Sequence, residues 1–436
     1  MPSTLPATPT SVDLHRTKNR RFEKNIAACE WAEEYRPGGY HPVNLGDVFG
    51  EQYRVIRKLG EGSFSTVWLA KDLLTSKYVA LKIMVAKASS SSAHLPLLYR
   101  LAVARSTDPR SEYVTLPLNM FNHEGPNGKH LCCVFPAMGP SAASMIRDMP
   151  FSVDQLGTPS ETHGPRRFPL WIAKRLARSA LTGLAFLHDN NVIHGDVQPG
   201  NILFPVENID FLSERDLGQN EDRPLSTHKL KRIDGLEDRW APAKLFVRQE
   251  LRDFVRLEPD FSAKLSDLGS AFFSDDPPKK VVTPVALRAP EVILGNTRVG
   301  KGIDIWAVGC LLYEFVTGQA LFPLFALGAP RKLEDDLHLC QMHDILGPLP
   351  ENIKSAWTRH DRWFGPNGEH IRPYGTPGSP RHTDPSLEDA FRQQKGDDVD
   401  DEDAKEICKL IRRMMQYNAS DRPTAAELLK HPWFRE

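Results

Sequence analysis

Up to about residue 137 the apolar positions come in short runs: Tyr53 to Lys58, Trp68 to Asp72, Val79 to Lys82 and His130 to Ala137. Runs of this length, bounded by Gly, Pro and polar residues, predict strands. Further on the spacing becomes helical. Phe168 to Asp189 sets Ile172, Leu176, Ala180, Leu184 and Leu187 on one face and Lys174, Arg175 and Arg178 off it. Ile303 to Val316 is apolar apart from Asp304 and Glu314, is too short to span a bilayer, and predicts a buried core helix. Leu337 to Leu346 is helix-like, and Ile407, Ile411 and Met414 mark an amphipathic helix. A helix is also expected over Ala88 to Ala104, with Pro96 limiting where it begins. Thr424 and Glu427 form a capping box ahead of Leu428-Leu429.

The stretches without a period set the boundaries. Residues 1–34 are expected to be a flexible extension, with Trp31 and Tyr35 as anchors near its end. Glu207 to Asp260 is charged and aperiodic and predicts a surface insert. Gly365 to Gly396 is Pro/Gly-rich, then polar, and predicts a second insert ending in the acidic run Asp397 to Asp403, which reads as a solvated face. With 55 Lys and Arg against 56 Asp and Glu in 436 residues, the charges cancel, and neither nucleic acid nor a membrane surface is expected as partner. Met1 to Arg20 has no apolar block, so no signal peptide is expected. Six scattered cysteines without a CxxC predict buried thiols in a reducing, intracellular compartment.

Chemistry concentrates in Val192-Ile-His-Gly-Asp-Val-Gln-Pro-Gly-Asn-Ile-Leu203. Two apolar pairs pin the ends of a loop that carries Asp196 and, five positions later, Asn201. A carboxylate that takes a proton from a hydroxyl, beside an amide oxygen that holds a hard cation, suits phosphoryl transfer from Mg-ATP. Upstream, Leu59-Gly-Glu-Gly-Ser-Phe-Ser-Thr-Val67 joins two strands by a Gly-rich turn whose backbone N–H groups can approach phosphates, because Gly60 and Gly62 carry no side chain. Lys82 stands mid-strand among apolar neighbours, where an ammonium needs an anionic partner. Asp267-Leu-Gly269 offers a second carboxylate for metal.

These motifs, with Ala289-Pro-Glu291, Asp304 and Arg422, stand in the order found in protein kinases, which the chain resembles. Tyr35-Arg-Pro-Gly-Gly-Tyr-His-Pro-Val43, Lys58-Leu-Gly-Glu-Gly-Ser-Phe-Ser-Thr-Val-Trp-Leu-Ala-Lys-Asp72, Asp-Leu-Gly in place of Asp-Phe-Gly, and His431-Pro-Trp-Phe434 look like SR-protein kinases. The resemblance runs from about Tyr35 to the end. It implies an α+β, bilobal fold: a small β-rich lobe over 35–135 and a hinge and helical lobe over 136–436, with the inserts at about 205–260 and 365–403. It further implies an ATP- and Mg²⁺-dependent serine/threonine kinase acting on protein substrates of Arg/Ser-rich type; a monomer is expected. ATP would be held by Leu59, Gly60, Glu61, Gly62, Val67, Ala80, Lys82, Pro136, Met138 and Leu203, and the metal by Asn201 and Asp267. Asp196 would be the catalytic base, assisted by Lys82 and Asn201. His194, Asp304, Glu291 and Arg422 would be structural.

Three departures from that pattern stand out. No acidic residue lies between Lys82 and Asp108, and His94 falls where the family has the glutamate that pairs with the strand lysine. Gln198 replaces the lysine of the catalytic loop. Thr283 lies one residue too far from Ala289 to match the threonine of that kinase class. Two readings follow: a kinase slowed by the loss of charge partners, or a nucleotide-binding scaffold. The resemblance also locates a substrate-docking groove where Glu334-Asp335-Asp336 precedes a helix, so this triplet is expected to receive arginines.

Overall fold

The computed structural model describes residues 20–24, 28–89, 95–148, 166–295, 299–324, 330–371 and 383–435. It divides into two compact units, one formed by residues 1–102, 115–140 and 205–257, the other by 103–114, 141–204 and 258–436.

The first unit is built on a six-stranded antiparallel sheet: β1 (Val48–Phe49), β2 (Tyr53–Gly62), β3 (Ser65–Asp72), β4 (Tyr78–Met84), β5 (Asn119–Gly125) and β6 (Gly128–Pro136), in the order β1-β2-β3-β4-β6-β5. Alternation along β4 decides its two faces. Val79, Leu81 and Ile83 point into a core with Phe49, Tyr53, Val55, Trp68, Cys132 and Val134. Ala80 and Lys82 take the other face.

The segment expected to be a surface insert of the helical lobe belongs instead to this unit. Phe246 enters the sheet core, and Leu245 joins Phe22, Ala32, Tyr35, Tyr40 and Val85. Ile209, Leu217 and Leu251 cover Ile56, Leu69 and Tyr78. A short hairpin pairing Thr227–Lys229 with Lys244–Phe246 carries the first of these contacts. The apolar anchors pack at separate points onto the sheet, so the stretch needs no period of its own. The expected flexible extension is corrected in part for the same reason. Phe22, Ala32 and Tyr35 are buried, whereas Trp31 is 44 % exposed.

The second unit is helical. The helix Gly302–Thr317 is buried nearly all round, and the helices Leu170–Asp189 and Asp401–Met414 pack against it. Ile172, Leu176, Ala180, Leu184 and Leu187 face inward as the spacing predicts. Ile407, Ile411 and Met414 are likewise fully buried. Part of the second insert is also structural. In the helix Leu387–Gln394, Leu387 and Phe391 are buried, and Tyr313 donates its hydroxyl to Gln394 Oε1 at 2.9 Å. The acidic run caps a helix: Asp400 accepts from the N–H groups of Glu402 and Asp403, where carboxylates also favour the helix N-terminus. Among the described residues no helix is long and apolar enough to cross a membrane.

Candidate active site

In the first unit the Gly-rich turn is a continuation of the β2–β3 ladder. Gly60 pairs with Val67 and Gly62 with Ser65, after a register shift between Lys58 and Gly60. A Cβ added at Gly60 or Gly62 would meet no atom within 4 Å, so both glycines leave the backbone open to a ligand's approach. Lys82 stands in register with Val67 on β3 and Cys133 on β6. Cross-strand partners share a face, so Val67, Ala80 and Lys82 lie together on the face opposite the core. Leu59 and Val67 are half-buried there. Pro136 closes β6 opposite Val79, and Met138 follows it, 8 % exposed. His94 lies outside the described residues; the expected helix is seen as Ala86–Ser89 and Leu95–Arg105.

The turn is braced from behind by Lys58 and Tyr40, which lie within the motifs but are assigned no role by them. Lys58, just before Leu59, is wholly buried. It is ion-paired with Glu30, lies 3.2 Å from Glu61, and donates to the Phe246 carbonyl at 2.9 Å. Tyr40 donates its hydroxyl to the Gly62 carbonyl at 2.7 Å. A lysine before a Gly-rich turn is an ordinary surface residue in sequence terms. Its partners Glu30 and Phe246, far off in the chain, mark it.

In the second unit, two short ribbons hold the loop of Asp196. Val192–Ile193 pairs with Phe272–Phe273, and Ile202–Leu203 pairs with Lys264–Leu265. The second ribbon continues with Ser266 donating its N–H to the Asn201 carbonyl at 2.8 Å, which brings Asn201 beside Asp267. Asp267 adopts a left-handed backbone, φ 62°, and is exposed. Asn201 donates its amide to the Asp196 carbonyl at 2.9 Å and to Asp196 Oδ2 at 3.1 Å, leaving its own amide oxygen for a cation. Gln198 donates to the same Oδ2, while Asp196 Oδ1 is buried with no hydrogen-bond partner. Burial lifts the Asp196 carboxyl above the usual carboxylate value; the donated amides oppose the shift, and Asp267 nearby adds to it.

Below the loop Asp304, 1 % exposed, accepts from the N–H of His194 and of Gly195, each at 2.9 Å. His188 Nε2 lies 2.9 Å from the same carboxylate, a partner the motifs did not reveal. His194 accepts the Asp196 N–H at Nδ1 (3.3 Å) and must therefore carry its proton on Nε2, 3.1 Å from the Ser266 carbonyl. Gly195 has φ 74°, and a Cβ there would come within 3.0 Å of the Phe272 ring and the Ser270 carbonyl. Its own carbonyl accepts the hydroxyl of Thr283 at 2.7 Å. Thr283 is thus out of register in sequence yet bonded to the catalytic loop. Glu291 and Arg422 form a bidentate pair at 2.6 and 2.8 Å, with the guanidinium 5.0 Å over the Trp306 ring.

The acidic triplet expected to dock arginines is largely used up. Asp336 is 5 % exposed and binds Arg359 through both oxygens and the Trp357 indole N–H at 2.7 Å. Asp335 faces Arg288 at 3.5 Å, and Arg288 donates to the Thr283 carbonyl. Only Glu334 lacks such a partner among the described residues. A different carboxylate faces open space. Glu314 joins Gln198, Pro199, Pro284, Leu287 and Cys310 around a cavity of about 190 Å³. Its carboxylate has no hydrogen-bond or ion-pair partner among the described residues, and burial raises its pKa.

The sequence matches the protein kinase domain over residues 53–223 and 254–434, and the chain belongs to the protein kinase family. Its similarity is to SR-type members. It is 30 % identical over 427 residues to the serine/threonine-protein kinase SRPK of Physarum polycephalum, covering 93 % of this chain and 91 % of that one. It is 25 % identical to the protein kinase dsk1 of Schizosaccharomyces pombe, covering 93 % and 85 % respectively. A crystal structure of a kinase domain superposes with a TM-score of 0.60 at 21 % identity, over 91 % of this chain and 99 % of that one. The chain is therefore a protein kinase of SR-protein-kinase-like type, an enzyme class that in general uses ATP and Mg²⁺ on protein substrates.

Proposed function

We propose that this kinase transfers the γ-phosphoryl group of ATP to serine, and less readily threonine, of proteins that carry a basic residue near the acceptor, acting as a monomer inside the cell. The observation that carries the phosphotransfer reading is the convergence of Asp196, Asn201 and Asp267 on two hydrogen-bonded ribbon ends. The residues fit the cofactor: the unpaired Asp196 Oδ1 is free to accept a hydroxyl proton, and the Asn201 amide oxygen and the Asp267 carboxylate are ligands suited to Mg²⁺. When bound, Mg-ATP supplies the phosphoryl group and the cation that offsets its charge. In the first unit, Gly60 and Gly62 would present N–H groups to the phosphates and Lys82 its ammonium. Val67 and Ala80 of that unit would contact adenine, and the backbone of Pro136 and Met138 would read its edge. Free thiols at all six cysteines agree with a reducing compartment.

What supports a basic substrate is Glu314 rather than the triplet 334–336. Its carboxylate lies in a cavity shared with Gln198 and Pro199 of the catalytic loop and with Pro284 and Leu287, and a cation placed there would relieve its burial. The test is phosphate incorporation by purified protein with Mg-ATP, with Asp196→Asn as the blank. Peptides holding one serine flanked by arginines or by alanines are compared. Glu314→Gln should raise the KM of the arginine peptide at least about fivefold and leave its kcat nearly unchanged, as expected when uniform binding is lost. Equal KM values for both peptides in the wild type would remove the basic-substrate reading and leave the kinase reading standing.

A further inference from the structure

We infer that His343, Asp344 and His370, far in sequence from the catalytic motifs, form a site for a borderline transition-metal cation of the Zn²⁺ type. His343 and Asp344 sit in the last turn of the helix Arg331–Leu346. His370 is delivered by a hairpin in which Gly365 donates to the Glu369 carbonyl at 2.8 Å and Ile371 donates to the Trp363 carbonyl at 2.6 Å. One ligand atom from each of the three residues lies within 4.8 Å of the other two. Asp344 Oδ1 is the common point, 2.6 Å from His370 Nε2 and 3.3 Å from His343 Nδ1.

Consecutive helix residues point about 100° apart, so His343 and Asp344 have no local reason to converge. Here both turn toward the same hairpin residue. The Asp344 carboxylate is oriented by a further bond, its Oδ2 accepting the Asp384 N–H at 3.2 Å. The Phe364 ring walls the cluster, 4.4 Å from the His370 ring and 4.6 Å from that of His343. Side-chain exposures of 21 %, 8 % and 17 % leave the cluster sheltered but reachable.

The donor set chooses the ion. Two imidazoles and one carboxylate suit Zn²⁺ and its neighbours, whereas Mg²⁺ asks for oxygen ligands. An ion bound at about 2.0–2.1 Å from each ligand needs ligand atoms roughly 3.3 Å apart. The His370–Asp344 contact of 2.6 Å would then open by roughly 0.7 Å, and the metal would replace the shared protons. Binding should release protons and weaken in acid. Three protein ligands leave at least one position to solvent, and the ion would clasp the hairpin to the helix end.

The bland alternative is a pair of histidine–carboxylate hydrogen bonds with no affinity for metal, and the experiment separates the two. Full-length protein, untagged and stripped with chelator, is titrated with ZnCl₂ by calorimetry at pH 7.5 and again at pH 5.5. Expected are one-to-one binding, a raised Tm, and affinity lower at pH 5.5. His343→Ala and His370→Ala should each weaken binding at least about tenfold, that is about 1.4 kcal/mol. His360→Ala, which removes a ring stacked on Phe364 but no ligand, should bind as wild type. Independently of any variant, Zn²⁺ should protect His343 and His370 of the wild type from diethyl pyrocarbonate, read by mass spectrometry. No binding at 100-fold molar excess of Zn²⁺, or binding that leaves those two histidines unprotected, would overturn the assignment.

Discussion

Gln198 donates its side-chain amide to Asp196 Oδ2 at 2.8 Å, two residues along the same loop. A neutral donor occupies the position where the serine/threonine-kinase pattern has a lysine. It orients the proposed base and would bring no charge to a phosphoryl group. Gln198→Lys should therefore raise kcat, by up to about tenfold, because a cation aimed at charge that develops in the transition state stabilises it selectively. Single-turnover phosphorylation measures this, and a kcat no higher than wild type would mean the amide already suffices.

Asp196 should leave its mark in pH dependence. Burial raises its pKa above the ordinary 3.8, and the base must be ionised to work. The acid limb of kcat/KM should accordingly fall at a pH above that of a free aspartate. The sign for stability is the reverse. A carboxyl whose folded pKa is raised binds protons more readily in the folded state, so its ionisation costs stability as pH rises through the window above 3.8. Asp196→Asn should abolish at least about 10²-fold of the activity and yet show a higher Tm than wild type at pH 7. The gain in Tm should shrink toward pH 4. An unchanged Tm across that range would contradict the assignment of a buried, ionised Asp196.

Activity should not depend on phosphorylation of the segment after Asp267. Thr283 is 3 % exposed with its hydroxyl bonded to Gly195, and Ser274 donates both its N–H and its hydroxyl to the Asn191 carbonyl. Protein treated with phosphatase should keep kcat within about twofold. Loss of activity that returns on rephosphorylation of either residue would sink this.

Gly195 itself should be intolerant. Its φ of 74° and the 3.0 Å approach of Phe272 and Ser270 leave no room for a Cβ. Gly195→Ala should cost about 1–3 kcal/mol in denaturant unfolding. It should also lower kcat, since Asp196 is the next residue. Gly195→Arg, the side chain common in other kinases, should do worse rather than confer regulation.

Asp336→Asn tests the reassignment of the acidic triplet. If this carboxylate is the anchor of Arg359 and Trp357, the variant should lose stability, because breaking a buried pair strands the guanidinium. The KM for an arginine peptide should stay near wild type. A raised KM at unchanged Tm would restore the docking reading.

The legible parts of this fold are those whose chemistry demands fixed local spacing. The loop from Val192 to Leu203 carries base, amide and both strand anchors within one stretch, so its ribbons could be read before they were seen. Arg422 was legible only through its resemblance to other kinases, since nothing local ties it to Glu291. The anchors Ile209, Leu217, Leu245, Phe246 and Leu251 escaped because side chains docking at separate points on the sheet leave no period. Glu334 to Asp336 misled for a related reason. Three neighbouring charges in a helix point in three directions, and the helix turns Asp336 inward. Lys58 looks unexceptional until burial removes its water.

The interleaving of the two units has a consequence for synthesis. The sheet core of the first unit includes Phe246, yet residues 141–204 belong to the second unit and leave the ribosome earlier. At about 5–20 residues per second, the strands wait on the order of ten seconds for the segment that seals them. During that interval the faces around Trp68, Tyr35 and Ile56 have no cover, and nascent chains halted short of residue 257 should be the species most readily captured by chaperones or lost to aggregation.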